Sequence, residues 1–155
     1  MKQTKVDISS AGLHILAMGL MLCDHLWATL IPGNNWLTCI GRLAFPIFAF
    51  MIVEGYTHTR NLKKYLLRLL IFALVSEIPF NLMVSGSVIY PFHQNVIWTF
   101  LIGILMIWLN EICREKNRLI RALVLVGTLL GGYLLGILSF ADYFGAGVLT
   151  VMIFY

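Results

Sequence analysis

The stretch from residue 36 to residue 84, WLTCIGRLAFPIFAFMIVEGYTHTRNLKKYLLRLLIFALVSEIPFNLMV, holds two long apolar runs around one short polar turn. The runs cover roughly 36–57 and 64–84. Each matches the roughly 20 apolar residues that a helix needs to cross a bilayer. Helices satisfy their own backbone in hydrocarbon, so the pattern reads as a hairpin of two membrane helices. Similar runs lie on either side. One spans roughly 9–31 and is closed by the turn signal Pro32-Gly33-Asn34-Asn35. Others cover roughly 95–112 and 119–138, and a last one runs from Asp142 to Tyr155. The fold class expected is all-α, a polytopic transmembrane helical bundle of about six spans, forming a single domain over residues 1–155. The last run has about 14 residues, short for a span and without a terminating signal, so the chain reads as C-terminally truncated.

Composition agrees. Hydrophobic residues make up 60% and charged residues 12%, against about 45–50% and about 25% in a soluble domain. The net charge of +4 reflects topology rather than a nucleic-acid partner, because ten of the 11 Lys and Arg cluster in three places. These are Lys2 and Lys5, then Arg60, Lys63, Lys64 and Arg68, then Arg114, Lys116, Arg118 and Arg121. The connections 32–35, 85–94 and 139–142 carry none. Basic loops stay on the cytoplasmic side, so the N-terminus is expected to be cytoplasmic in a multi-pass protein of the cell membrane. Trp27, Trp36 and Trp98 then fall near the outer interface and Trp108 near the inner one. Lys2 and Lys5 before the run Ala11–Cys23 imitate a signal peptide, but no small-residue cleavage site follows, so this segment reads as a retained span. Cys23, Cys39 and Cys113 have no paired spacing and suggest neither a disulfide framework nor a metal site. Gly127, Gly131, Gly132 and Gly136 give two overlapping G-x-x-x-G spacings, which let helices approach within the bundle or between subunits of a homo-oligomer.

Ionisable groups inside such runs are costly and mark a pathway or site. Arg42 is the basic residue that breaks the loop pattern. At ~1.5 Å per helical residue, His25, Arg42 and Glu77 all lie roughly 9–11 Å below the outer surface. Asn81 is one turn from Glu77 on the same face, and His93 lies in the following outer loop. Asp24 and His25 point about 100° apart, so the partner that orients His25 is expected on another helix, with Glu77 first. Asp24 is expected to pair with Arg42 or to hold a helix contact. Glu54 lies near the cytoplasmic end with His58 at i+4, where a vestibule with Arg60 and Lys63 or a solvated helix end are both open readings. His14 reads as packing.

Several short motifs carry a family resemblance. They are Asp24-His25, the GRLAFPIFAF of residues 41–50, the pattern E-G-x-x-x-T-x-N-x-x-K-Y-x-x-R-L from Glu54 to Leu69, SEIPF at 76–80, and Asn95 with Thr99. Together they resemble the TraX family, named for a conjugation-associated membrane protein linked to N-terminal acetylation of pilin. The resemblance covers most of the chain and is densest over residues 41–81. It implies a membrane acetyltransferase using acetyl-coenzyme A, with a fold similar to the larger transmembrane acyltransferases. Carried over by position, it marks Asp24, His25, Arg42, Glu54, Glu77 and Asn81.

On that basis His25 is the expected general base toward an amine or hydroxyl acceptor, a pilin-like N-terminus or an envelope molecule. Glu77 orients it, and Arg42 or Asn81 donates to the developing oxyanion. The donor's phosphates suit Arg60, Lys63, Lys64 and Arg68, with Glu54 and His58 beside them, although the positive-inside rule alone explains those basic residues. A proton-coupled transporter, or a structural component of a secretion or conjugation assembly, are the competing readings.

Overall fold

The structure is a computed structural model and describes residues 9–31 and 33–155. Lys2, Lys5 and Pro32, which entered the orientation and turn readings, lie outside the described residues. Among the described residues seven helices follow one another: α1 (Ser10–Thr29), α2 (Asn35–Gly41), α3 (Ala44–His58), α4 (Leu62–Ser85), α5 (Val96–Ile112), α6 (Arg118–Leu138) and α7 (Phe144–Ile153). No strand occurs among the described residues. Four segments among the described residues are long and apolar enough to cross a membrane: Ser10–Thr29, Asn35–His58, Leu62–Ser85 and Arg118–Leu138. Val96–Ile112 and Phe144–Ile153 are shorter apolar helices. The chain is an all-helical membrane protein.

Local chemistry sets the helix ends. Ser9, Asn61, Asn95 and Asn117 each cap a helix, with the side-chain oxygen accepting from a backbone N–H of the first turn. Gly86 ends α4 in the left-handed conformation, at φ 70°. The second run is not one straight helix. It breaks at Arg42 and Leu43, between α2 and α3. Pro46 explains this, because it has no N–H to donate to the Arg42 carbonyl and its ring crowds that carbonyl. The Phe45 N–H bonds Arg42 O at 3.2 Å instead.

The chain divides into two compact units, Met1–Met51 and Ile52–Tyr155. In the first, α1 packs on α2 at a point where Gly41 is indispensable. A Cβ there would lie 2.6 Å from Asp24 Cβ and 2.7 Å from Asp24 N. In the second, α4 packs on α5, and α5, α6 and α7 pack on one another. The short α7 is held tightly: Gly103 of α5 receives Val151, and Gly136 of α6 meets the Gly145 backbone. Ile104, Ile107, Val148 and Val151 are fully buried. Of the predicted glycine stripe, Gly132 and Gly136 therefore serve close packing inside this unit, while Gly127 and Gly131 face open space.

Candidate functional site

The five residues expected to form one outer constellation fall in both units. Asp24, His25 and Arg42 belong to the first, and Glu77 and Asn81 to the second. In the first unit Asp24 does not pair with Arg42. Its Oδ1 accepts a hydrogen bond from Thr38 Oγ1 at 2.6 Å, which ties α1 to α2 beside the Gly41 contact. Asp24 thus serves the helix contact that was its second expected role. Arg42 is exposed at the helix break. His25 is half-buried. His14, expected as packing, bonds Ser10 O through Nδ1.

Glu77 is held by three hydrogen bonds in the second unit. Its Oε2 accepts from Asn95 Nδ2 at 2.5 Å, from Trp98 Nε1 at 3.0 Å and from Asn95 N at 3.3 Å. The Asn95 amide also donates to Ala73 O at 2.9 Å. Ala73, Glu77 and Asn81 recur every four residues on one face of α4. The small Ala73, fully buried, lets the start of α5 come close. Trp98 therefore does more than anchor at an interface: it helps fix this carboxyl. The other carboxyl oxygen, Glu77 Oε1, is buried without a hydrogen-bond partner, and so is Asn81 Oδ1. Asn81 Nδ2 donates to Val88 O at 3.2 Å, which identifies the unmatched Asn81 atom as the acceptor. Glu77 and Asn81 border an open cavity of about 430 Å³, together with Val88, Ile89, Tyr90 and Gln94.

The loops around this cavity are tied together. Gln94 N donates to Phe140 O and Asp142 N donates to Gln94 O, at 2.9 and 3.0 Å. Thr99 Oγ1 donates to Asp142 O. His93 Nε2 lies 3.6 Å from Asp142 Oδ1, and its ring packs edge-on against Phe80. Asn95 and Thr99 thus have structural explanations.

The other end of α5 carries a second cavity, of about 760 Å³. Asn110, Glu111, Arg114, Arg118, Arg121 and Tyr155 supply its polar lining. Tyr56 donates to Glu111 Oε2. Three arginines around one cavity are suited to an anion. Sequence reasoning assigned these arginines to the positive-inside pattern alone; the i,i+3 spacing of Arg118 and Arg121 at the start of α6 was the available signal for a shared face, whereas Arg114 joins them from the α5–α6 turn.

The residues expected to hold a donor, Glu54, His58, Arg60, Lys63, Lys64 and Arg68, are all exposed and line neither cavity. His58 Nδ1 bonds Glu54 O at 2.9 Å and lies 4.0 Å from Glu54 Oε1. That geometry is a solvated helix end. The surrounding motif has a hairpin role: Asn61 caps α4, Tyr65 Oη donates to Ile52 O at 2.8 Å, and Gly55 makes room for the Tyr65 ring.

Residues 9–155 match the family model described as TraX protein. A curated relative, the probable fimbrial assembly protein FimC of serogroup H1 from Dichelobacter nodosus, is 33% identical over 84 residues. The match covers 52% of this chain and 34% of the relative, so the chain spans about a third of that protein's length. No solved structure matches the chain.

Proposed function

The chain belongs to the TraX family, and from that premise we propose that it is an integral membrane acetyltransferase with a pilus-related role. It takes the acetyl group of acetyl-coenzyme A and delivers it to an amine or hydroxyl of a pilin-like N-terminus or an envelope molecule at the non-cytosolic face. The N-terminus and both basic loops are cytoplasmic, and the protein resides in the cell membrane.

One observation carries this reading. The two ends of α5 differ in the way a two-substrate reaction across a membrane needs. One end has an arginine-lined cavity suited to the donor's phosphates, and the other has a smaller, more apolar cavity bordered by Glu77 and Asn81. Arg114, Arg118 and Arg121 hold the phosphates, with Arg60, Lys63, Lys64 and Arg68 contributing only to the positive potential on that side. The acceptor's nucleophilic atom attacks the thioester carbonyl. The new bond to carbon forms as the carbon–sulfur bond breaks, and the acceptor's proton passes by way of a base to the departing thiolate. His25 is the candidate base and Arg42 the candidate donor to the oxyanion.

The test gives purified full chain labelled acetyl-coenzyme A and a peptide acceptor, with His25→Ala beside wild type. Labelled peptide is expected from wild type, with a rate lower by about 10²–10⁴ in the variant. No thioester turnover, together with no donor binding by either form, would sink the enzyme reading. That result would favour a structural role in pilus assembly, in keeping with the name of the curated relative.

A further inference from the structure

The loop between α4 and α5 has the wrong surface for water. Residues 86–94 read GSVIYPFHQ, with no Asp, Glu, Lys or Arg. Val88 is 56% exposed, Ile89 81% and Phe92 63%. By contrast, the α5–α6 turn at the other end of α5 carries Arg114, Glu115 and Lys116. Ring contacts join Tyr90 to Phe92, and Phe92 to Phe140 of the α6–α7 connection. Aromatic side chains from two loops therefore form one cluster. The imidazole of one loop faces the carboxyl of the other, with His93 Nε2 3.6 Å from Asp142 Oδ1. The loop also stays low. Asn95 N donates to Glu77 Oε2, so α5 starts about two turns, or roughly 12 Å, short of the α4 end at Ser85. The chain folds back along α4 rather than rising clear of it. Ile71, Val75, Ile78 and Leu82 form an exposed apolar face of α4. Ile78 borders the same cavity as Val88, Ile89 and Pro91, so that face continues into the loop.

We propose that the loop 86–94 is a wedge set into the leaflet opposite the basic starts of α4 and α6, with Val88, Ile89 and Phe92 among lipid acyl chains. The inference does not rest on the acetyltransferase reading. Irregular backbone is tolerated at membrane depth only where its polar groups are satisfied by protein. This loop meets that condition from within. Val88 O accepts from Asn81 Nδ2 at 3.2 Å, and Pro91 O from Gln94 Nε2 at 3.0 Å. Gln94 O accepts from Asp142 N at 3.0 Å, and Gln94 N donates to Phe140 O at 2.9 Å. Pro91 has no N–H to satisfy. Tyr90 suits the headgroup level, where tyrosine and tryptophan concentrate. Asn81, buried on α4, gains a role here: it holds the loop down by the Val88 carbonyl. The 430 Å³ cavity bordered by Val88, Ile89, Tyr90 and Pro91 then adjoins lipid rather than bulk water.

Spin labels test the depth. In the full chain carrying Cys23→Ser, Cys39→Ser and Cys113→Ser, single labels are attached at Ile89→Cys, at Phe92→Cys and, as the water reference, at Lys116→Cys. The protein is placed in vesicles of phosphatidylcholine and phosphatidylglycerol. Collisions are measured with oxygen, which concentrates in hydrocarbon, and with a neutral nickel chelate, which stays in water. The oxygen-to-nickel ratio at positions 89 and 92 is expected to be several-fold above that at position 116.

A ratio equal to that at position 116 would put the loop in water. Few collisions with either probe would put it under protein. Either result overturns the wedge. Ile89→Trp in the otherwise unaltered chain supplies a check that needs no cysteine-free background. Its added fluorescence is expected to be lost in vesicles of brominated lipid and to survive iodide in the surrounding water. Quenching by iodide and not by brominated lipid would overturn the wedge as well. Both readouts report depth and not turnover, so a failed acetyl-transfer assay leaves them unaffected.

Discussion

Gly136→Ala and Gly131→Ala form a test of opposite sign on one helix. In a helix interior, replacing Gly by Ala gains about 1 kcal/mol from backbone entropy. At Gly131 nothing lies within 4 Å of the added Cβ, so the gain stands. At Gly136 the same carbon would lie 2.7 Å from Phe144 O and 2.8 Å from both Gly145 Cα and Gly145 N. All three are backbone atoms and cannot rotate away. Ordinary contact is about 3.5–4.0 Å, so α6 and α7 must part by about 1 Å. Overpacking of this kind costs about 1–3 kcal/mol, and the loss reaches the neighbouring Gly132 contact with Val148. The expected net effects are up to about 2 kcal/mol of destabilisation for Gly136→Ala and up to about 1 kcal/mol of gain for Gly131→Ala. At roughly 2–4 °C per kcal/mol for a chain of this size, Gly136→Ala should melt up to about 8 °C lower than wild type, and Gly131→Ala no lower. Thermal unfolding of the purified protein in detergent, followed by tryptophan fluorescence, reads both. A Gly136→Ala melting point at or above that of Gly131→Ala would refute the packing argument.

Replacing Arg114, Arg118 and Arg121 together by Gln should raise the KM for acetyl-coenzyme A about ten-fold, with kcat little changed, because exposed charge pairs contribute less than about 1 kcal/mol each. The same change at Lys63, Lys64 and Arg68 should leave KM within about two-fold, and added salt should weaken donor binding in wild type more than in the triple variant. Asn95→Ala removes the α5 cap and two side-chain hydrogen bonds, and should cost about 2–4 kcal/mol in detergent unfolding. Trp98→Phe removes one donor to Glu77 and should cost about 1 kcal/mol. Pro46→Ala restores an N–H for the Arg42 carbonyl; spin labels at positions 37 and 50 should then report a longer, straighter span, and an unchanged distance would mean that Pro46 does not cause the break.

The helices were legible in the sequence because each lies inside an apolar run closed by a turn or an asparagine. Asn61, Asn95 and Asn117 fix starts that hydropathy alone leaves uncertain by two or three residues. The break at Arg42 was hidden because the run stays apolar through it, although Pro46 four residues later was its local cause. Glu77 was legible as an expensive group, yet its partners were not: Asn95 and Trp98 lie 18 and 21 residues away, and pairing over such distances leaves no periodic trace. The arginine cavity was missed for another reason. Topology already explained those charges, so nothing remained to suggest a second role. Gly127 and Gly132 look alike in sequence, but only the direction each faces separates open surface from close contact.

The two cavities impose a condition on any transfer between them. Gln94, at the edge of one, and Glu111, at the edge of the other, are separated by most of α5, or about 25 Å at 1.5 Å per residue. Between α5, α6 and α7 the side chains of Ile104, Val148 and Val151 are fully buried, and the space beside Gly103 is taken by the Val151 side chain. A carrier arm that bears an acetyl group from the arginine end has a course along the α4 side of α5, where α4 carries Ala73, Glu77 and Asn81 in line. Enlarging Ala73, fully buried beside the Asn95 amide, should then disturb the Glu77–Asn95 contact before it disturbs donor binding, whereas enlarging Gly103 should unfold the α7 contact and weaken both.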